Sequence, residues 1–324
     1  MPKISIVTTT YRHEKYIAET IESVLSQSFT DWELLIWDDS PDDAAWRIIQ
    51  EYVKKYPQKI RAWHHTPNKW IVENTNFLLS QVSSDSLYIT FLEGDDVYIP
   101  TSLEQKYNIF QSHRSVGLVY SDMDFINSDS QITLYSLLAS WGVHIYQDES
   151  ILPDAYILSK NPLIVSYSSI AIRRDILDKY TPIRNLTGSK TYAVSDYDVI
   201  FHIIREYRVY GIKKSLTFYR RHVNNLSANY DWLFADLLIL LRDYRDTSKI
   251  HTDTYKKKVA WIHILSSITS LASWDKISSW IHLKRSLQED TSGYILYKIA
   301  LSIAHILPIS WIQKILQKRI RRGA

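Results

Sequence analysis

The sequence of 324 residues contains no cysteine, which excludes a disulfide scaffold, a thiolate metal site and a cysteine nucleophile. It holds only seven glycines. None falls in a Gly-x-Gly-x-x-Gly or Gly-x-x-x-x-Gly-Lys pattern, so the fingerprints of a dinucleotide site and of a P-loop are both missing. No uninterrupted apolar run reaches the ~18 residues of a membrane-spanning helix. The nearest stretch, 295–312, is broken by Lys298, His305 and Pro308. A dominant charge is lacking too: the net charge is +3, so the whole-molecule field gives no case for a nucleic-acid partner. The N-terminal residues MPKISIVTTTY do not follow the charged, apolar, small order of a secretory leader. Together with the missing cysteines, this fits a cytoplasmic protein.

What is present is a hydrophobic content of 45%, enough for one large α/β domain or two medium ones. Ile4–Thr8 is a β-branched run that reads as a first strand. Glu14 to Gln27 carries Ile17, Ile21, Val24 and Leu25 at helical spacing. Trp32–Trp37 reads as a second strand ending at Asp38-Asp39-Ser40-Pro41, with a helix from about Ala44. Ile60–His64 reads as a third strand, Asn74–Val82 as a helix, and Ser86–Leu92 as a fourth strand running into Glu93-Gly94-Asp95-Asp96. Alternating strands and helices imply a mostly parallel sheet covered on both faces. Ligands of such sheets bind beyond the carboxyl ends of the strands. Thr9, Tyr11, Asp38, Asp39, Glu93, Asp95 and Asp96 therefore share one rim. Further on, Val116–Tyr120, Ser168–Ile172 and Val209–Tyr219 read as strands, Asp196–Ile204 as a helix, and the chain from Tyr230 onward as helical. The expected divisions are 1–105, 106–228 and 229–324.

Several residues carry chemistry. Asp95 and Asp96 in one tight turn repel each other unless water or a cation lies between them, and oxygen ligands suit Mn2+ or Mg2+ bridging to phosphate. The plainer alternative is a cap for the helix near 100–110. Asp38 and Asp39 are either a turn and cap or acceptors for a nucleobase or ribose. Asp196 and Asp198 are either first-turn acids of a helix or include a general base. Tyr219 to Ser227 packs Arg220, Arg221, His222 and two asparagines into one segment, either a solvated loop or a set of donors for a diphosphate.

Taken together, these segments resemble the inverting family 2 glycosyltransferases of bacterial surface-glycan type. The resemblance runs from Ile4–Tyr11 through Ile21–Phe29 and Trp32–Ser40. It continues through Phe91–Pro100, similar to an Asp-x-Asp metal segment, and Ser195–Asp198, similar to a Glu-Asp segment with the catalytic base. It ends with Tyr219–Ser227, similar to a Tyr-Arg-x-His-x-x-Asn-x-Ser segment. It covers about residues 3 to 227. Glu93 stands where the family usually has Asp, Ser195 where it has Glu, and Asn68-Lys69-Trp70 where Asn-x-Gly is common.

The resemblance implies a GT-A fold, whose Rossmann-like nucleotide-binding half is followed by an acceptor-binding half and, here, a C-terminal helical region. It implies transfer of a sugar, with inversion, from a nucleotide diphosphate-sugar, expected to be a UDP-sugar. The acceptor would be a hydroxyl on a glycan, a glycoprotein or a lipid-linked glycan. Thr9, Tyr11, Asp38 and Asp39 would hold the nucleoside. Asp95 with Asp96 would hold Mn2+ or Mg2+, Arg220 and His222 would close over the diphosphate, and Asp196 would be the base. Two alternatives are a catalytically silent sugar-nucleotide-binding scaffold and a sugar nucleotidyltransferase. The second lacks its glycine-rich phosphate loop, since Thr8–Arg12 contains no glycine. At the C-terminus, Ile299, Ile303, Ile306, Trp311, Ile315 and Leu316 form an apolar helical face followed by Lys314, Lys318, Arg319, Arg321 and Arg322. That region suits either the inner face of the cell membrane or a partner copy.

Overall fold

The computed structural model describes residues 2–159, 162–188, 192–222, 225, 230–272, 275–290, 294, 298 and 301–302. The expected apolar face from 299 onward, the basic tail, the boundary at 228–229, and Val223, Asn224, Leu226 and Ser227 lie outside these residues. The chain forms two compact units, Met1–Val223 and Asn224–Ala324.

The first unit is built on one sheet. Its strands are β1 (Ile4–Thr10), β2 (Trp32–Asp38), β3 (Ile60–His64), β4 (Tyr88–Phe91), β5 (Val97–Tyr98), β6 (Val116–Ile126), β7 (Ile132–Leu134), β8 (Gln147–Glu149), β9 (Ile170–Arg173) and β10 (Arg208–Arg220). Between them lie helices α1 (Ile17–Leu25), α2 (Ala44–Lys55), α3 (Ile71–Ser80), α4 (Ser102–Ser112), α5 (Leu137–Ser140), α6 (Pro153–Leu158), α7 (Arg174–Leu177) and α8 (Ser195–Glu206). The strand order is β3-β2-β1-β4-β9-β6-β10-β5, with β7 on β6 and β8 on β10.

β3, β2, β1 and β4 are mutually parallel. β9 is antiparallel to both β4 and β6, and β10 is parallel to β6. Two reversals across β9 bring β6 and β10 back to the direction of β1, so all six strands end at one rim. The expected parallel order thus holds in two blocks, with β9 inserted between them. A β-branched run such as Ile170–Ile172 carries no mark of its direction, which is why the sequence pattern could not show this insertion.

β1 and β2 are buried almost throughout. Ile6, Ile17, Ile21, Val24, Leu34, Ile36 and Ile49 pack into one core cluster with Tyr98, Leu103 and Phe110. One residue of this region breaks the apolar rule. Lys106 of α4 is fully buried, its ammonium lies 4.7 Å from the Tyr98 ring centre, and its Nζ has no hydrogen-bond partner among the described residues. The second unit contains α9 (Tyr230–Asp246), α10 (Thr252–Ala272) and α11 (Lys276–Glu289). Among the described residues no helix is long and apolar enough to cross a membrane.

Burial pushes the Lys106 ammonium down to about 7, below the ordinary lysine value of ~10.4. The unfolded chain therefore binds more protons than the folded one between those values, and stability rises as the pH climbs through that window. Lys106→Met is expected to raise the unfolding free energy at pH 7 by about 1–3 kcal/mol, the cost of an unsatisfied buried polar group, and to flatten this rise. Urea unfolding at pH 7 and pH 9 checks both effects; an unchanged midpoint in the variant contradicts them.

Candidate functional site

The rim is assembled from four strand ends. At the end of β1, Thr9 Oγ1 donates to Glu93 Oε2 at 2.9 Å, tying the strand to the turn that follows β4. Tyr11 projects outward, 42% exposed. Arg12 takes a left-handed backbone, φ 57°, and its N–H donates to Ser40 Oγ at 2.8 Å. At the end of β2, Asp38 is fully buried and accepts from the Ser40 N–H and hydroxyl at 3.0 and 2.6 Å. Burial pushes its carboxyl up, against the pull of those hydrogen bonds.

Asp39 accepts from the Lys69 and Trp70 N–H groups and from Asn74 Nδ2, at 2.8–3.0 Å. This carboxylate organises the entry to α3, where Trp70 sits at φ 73°, ψ 160°. That backbone region is close to glycine-only and costs a bulky residue on the order of 1–3 kcal/mol. Hydrogen bonds from the Trp70 N–H to Asp39 and to Asn68 Oδ1 hold it there.

The turn after β4 packs closely on the end of β1. A Cβ on Gly94 would lie 2.5 Å from Thr10 Cβ and 3.1 Å from His13 Nδ1, so only glycine lets the turn approach. It brings Asp95 Oδ2 to 2.9 Å from His222 Nε2 and 3.8 Å from His13 Nε2. Among the described residues, His13, Asp95 and His222 form a cluster whose candidate ligand atoms lie within 4.8 Å of one another. Burial acts to raise the Asp95 carboxyl, but His13 and the His222 hydrogen bond outweigh it and hold it below the usual range. Burial lowers His13, favouring the neutral imidazole that metal coordination requires, and its buried Nδ1 has no hydrogen-bond partner among the described residues. Two imidazoles and one carboxylate suit Mn2+ better than Mg2+, which favours an all-oxygen set.

Neither Asp95 nor Asp96 caps α4, whose N-cap is Thr101. Asp96 does not join the cluster either. Its Oδ1 accepts from the Arg220 N–H at 2.9 Å, and burial followed by the Asp95 charge raises its carboxyl well above the usual range. Arg220 differs most from the sequence reading. Instead of pointing outward at a phosphate it is 0% exposed. Its Nε donates to the Asp95 carbonyl at 2.8 Å, Nη1 to the Asn127 carbonyl and Ser130 Oγ at 3.1 and 2.9 Å, and Nη2 to Glu19 at 2.5 Å. The guanidinium also lies 4.7 Å from the Tyr16 ring centre, and Tyr16 stacks on His222 at 5.1 Å. A guanidinium with these partners positions the turn and is not offered to a diphosphate. His13 escaped the sequence reading; its one signal is an imidazole in the loop at the end of β1.

The first turn of α8 separates its two acids. Asp198 is buried, bidentate to Arg184 at 2.8 and 3.1 Å, and 3.4 Å from His202. Asp196 remains partly exposed and accepts from the Tyr197 N–H at 2.7 Å. The N-cap is Val194, with no side-chain cap bond, so neither acid caps the helix. Burial pushes the Asp196 carboxyl up to about 6. Glu93 is pushed up to about 8, first by burial and then, against the Thr9 hydrogen bond, by the charges of Asp95 and Asp196. Glu93 thus lies within electrostatic reach of both the cluster and Asp196. Ile183, beside Arg184, exchanges two hydrogen bonds with the Asn76 side chain of α3 at 2.9 and 2.6 Å, bracing the α8 side against the α3 side.

Arg220→Met removes the donors to two carbonyls, a hydroxyl and Glu19. It is expected to lower the unfolding free energy by about 2–4 kcal/mol, the range for lost charged hydrogen bonds in a buried network. Urea unfolding measures this; a loss below about 1 kcal/mol shows that the turn stands without the arginine.

The model of the family described as "Glycosyl transferase family 2" matches residues 5–181. The putative glycosyltransferase EpsE of Bacillus subtilis (strain 168) is 35% identical over 122 residues, covering 38% of this chain and 43% of EpsE. The putative teichuronic acid biosynthesis glycosyltransferase TuaG of the same organism is 26% identical over 255 residues, covering 77% of this chain and 90% of TuaG. The crystal structure of S. aureus TarS 1-349 in complex with UDP-GlcNAc superposes with a TM-score of 0.62 at 16% identity, over 99% of this chain and 92% of that one. The sheet and the helices that flank it thus match a GT-A fold, and C-terminal helices follow. With more than half of its residues inside the family's match, the chain belongs to glycosyl transferase family 2 and is a glycosyltransferase.

Proposed function

We propose that the protein transfers a sugar from a UDP-sugar to a hydroxyl of a bacterial surface glycan, with inversion, using Asp196 as general base and a divalent metal at His13, Asp95 and His222. One observation carries the reading: at the strand-end rim, His13, Asp95 and His222 bring candidate ligand atoms within 4.8 Å of one another, and the Asp196 charge reaches the neighbouring Glu93. UDP-GlcNAc bound to TarS supports a uridine donor, and the teichuronic acid role named for TuaG supports a surface-glycan acceptor. The glycosyltransferase family itself argues against the silent scaffold and the nucleotidyltransferase.

Tyr11, exposed at the end of β1, offers a ring face to the nucleoside. Asp39 acts on the same ligand through the 68–70 loop that it holds. A divalent cation bound at the cluster would offset the charge that builds on the departing diphosphate. Mn2+ fits the nitrogen-rich set. Asp196 accepts the proton of the acceptor hydroxyl while that oxygen attacks the anomeric carbon. A single displacement from behind inverts the configuration. Asp198, closed in its pair with Arg184, fixes the first turn of α8 and does not take the proton.

The base must be ionised to work, so transfer should fall as the pH drops through about 6, the value to which burial raises Asp196. Asp196→Asn should keep donor affinity and lose turnover by ~100-fold or more. A transfer assay across pH with a donor titration checks both; near-normal turnover in the variant removes Asp196 from the role.

His222→Ala should weaken Mn2+ binding at least ~10-fold, the scale for perturbed metal sites, as read by calorimetric titration of Mn2+ in the presence of UDP. Unchanged affinity moves the metal away from this cluster.

A further inference from the structure

α11 divides its apolar residues between two faces. Inward, Leu283 joins an apolar cluster with Trp261, Ile264 and Leu271, flanked by the fully buried Ser279 and Ser286. Ser279 Oγ donates to the Ser267 carbonyl of α10 at 2.8 Å, and the two hydroxyls lie 2.9 Å apart. Its outward face carries Trp280, Ile281 and Leu287, which are 51%, 44% and 38% exposed. A helix in water places its largest apolar groups inward, so this outer face fits a different medium.

The charges on that face identify the medium. Lys284 and Arg285 are exposed among the apolar residues, and no acidic residue occurs between Lys276 and Gln288. Residues 280, 281, 284, 287 and 288 fall on one stripe at helical spacing. We propose that α11 lies in the headgroup region of an anionic lipid bilayer. Trp280 would sit at the interface, Ile281 and Leu287 would reach the acyl boundary, and Lys284 and Arg285 would pair with lipid phosphates. Tryptophan is suited to that depth by its apolar ring and polar N–H. Basic residues interleaved with bulky apolar ones are the composition of interfacial helices. A second copy of the chain fits less well, because self-pairing of this face would set Lys284 and Arg285 against their own kind.

The inference concerns the second unit and stands apart from the proposed transfer reaction. Its test is co-sedimentation of the full chain with phosphatidylcholine vesicles, with and without phosphatidylglycerol. The full chain should partition onto the vesicles containing phosphatidylglycerol, more weakly as salt rises, and remain in the supernatant with pure phosphatidylcholine. Two full-length double variants, Trp280→Ser with Ile281→Ser and Lys284→Glu with Arg285→Glu, should each lose at least ~10-fold in partition. Circular dichroism would verify that each retains its helical signal; because all four positions are exposed, at least one variant is expected to fold. Absence of the unaltered chain from the anionic vesicles overturns the proposal. So does unchanged vesicle binding in a folded variant. A variant that changes only the sedimentation mass, from a multimer to a monomer, assigns the face to a second copy instead and equally overturns it.

Discussion

The buried guanidinium of Arg220 is the constraint on which the rim depends. It stands at the end of β10 and gathers segments that are far apart in sequence: the Asp95 carbonyl, the loop after β6 through Asn127 and Ser130, and Glu19 of α1. Its own N–H reaches Asp96. A planar cation with several fixed donors is suited to such a junction. Because the turn at Gly94–Asp96 is anchored on this side and wedged against Thr10 and His13 on the other, Asp95 has a set position relative to both imidazoles. His222, two residues beyond Arg220, is delivered to Asp95 by the same strand end.

The electrostatics follow from that anchoring. Three carboxylates within four residues of a buried turn, Glu93, Asp95 and Asp96, would be prohibitive if all were ionised. The structure divides them by environment. Asp95 faces two imidazoles and stays ionised. Glu93 is raised to about 8 and can remain protonated at neutral pH while it accepts from Thr9. Asp96 is raised as well. The negative charge is thereby concentrated at Asp95, where a cation is useful. Asp196 belongs to a different element and keeps a value of about 6. It is therefore largely ionised at neutral pH and still basic enough to take a proton. Carboxyls pushed apart in this way mark sites of acid–base chemistry.

Much of the fold was readable from the sequence, because β-branched runs and helical spacing are local signals. Ile4–Thr8, Trp32–Trp37 and Ile60–His64 lie within β1, β2 and β3, and Arg208–Arg220 is one long strand. The carboxyl ends of parallel strands share a rim, so the chemistry-bearing segments could also be read together. The contacts within the rim could not. Arg220 and His222 are neighbours of like chemistry in the sequence, yet one is sealed in the interior and the other faces Asp95; only the end of β10 at Arg220 and the partners supplied by α1 and the loop after β6 separate them. Asp196 and Asp198 present the same difficulty, which Arg184 resolves by closing Asp198. His13 has no local signal beyond its type, because the turn that presents Asp95 to it comes from ~80 residues later, across a parallel pairing that only the fold creates.

The most direct test of the central claim is a product analysis. The protein would be incubated with Mn2+, a panel of nucleotide diphosphate-sugars and a short surface-glycan acceptor, and the anomeric proton of the product followed by NMR. The account predicts acceptor-dependent consumption of a UDP-sugar and a product of inverted anomeric configuration. A product of retained configuration, or no acceptor-dependent transfer from any UDP-sugar, would contradict it.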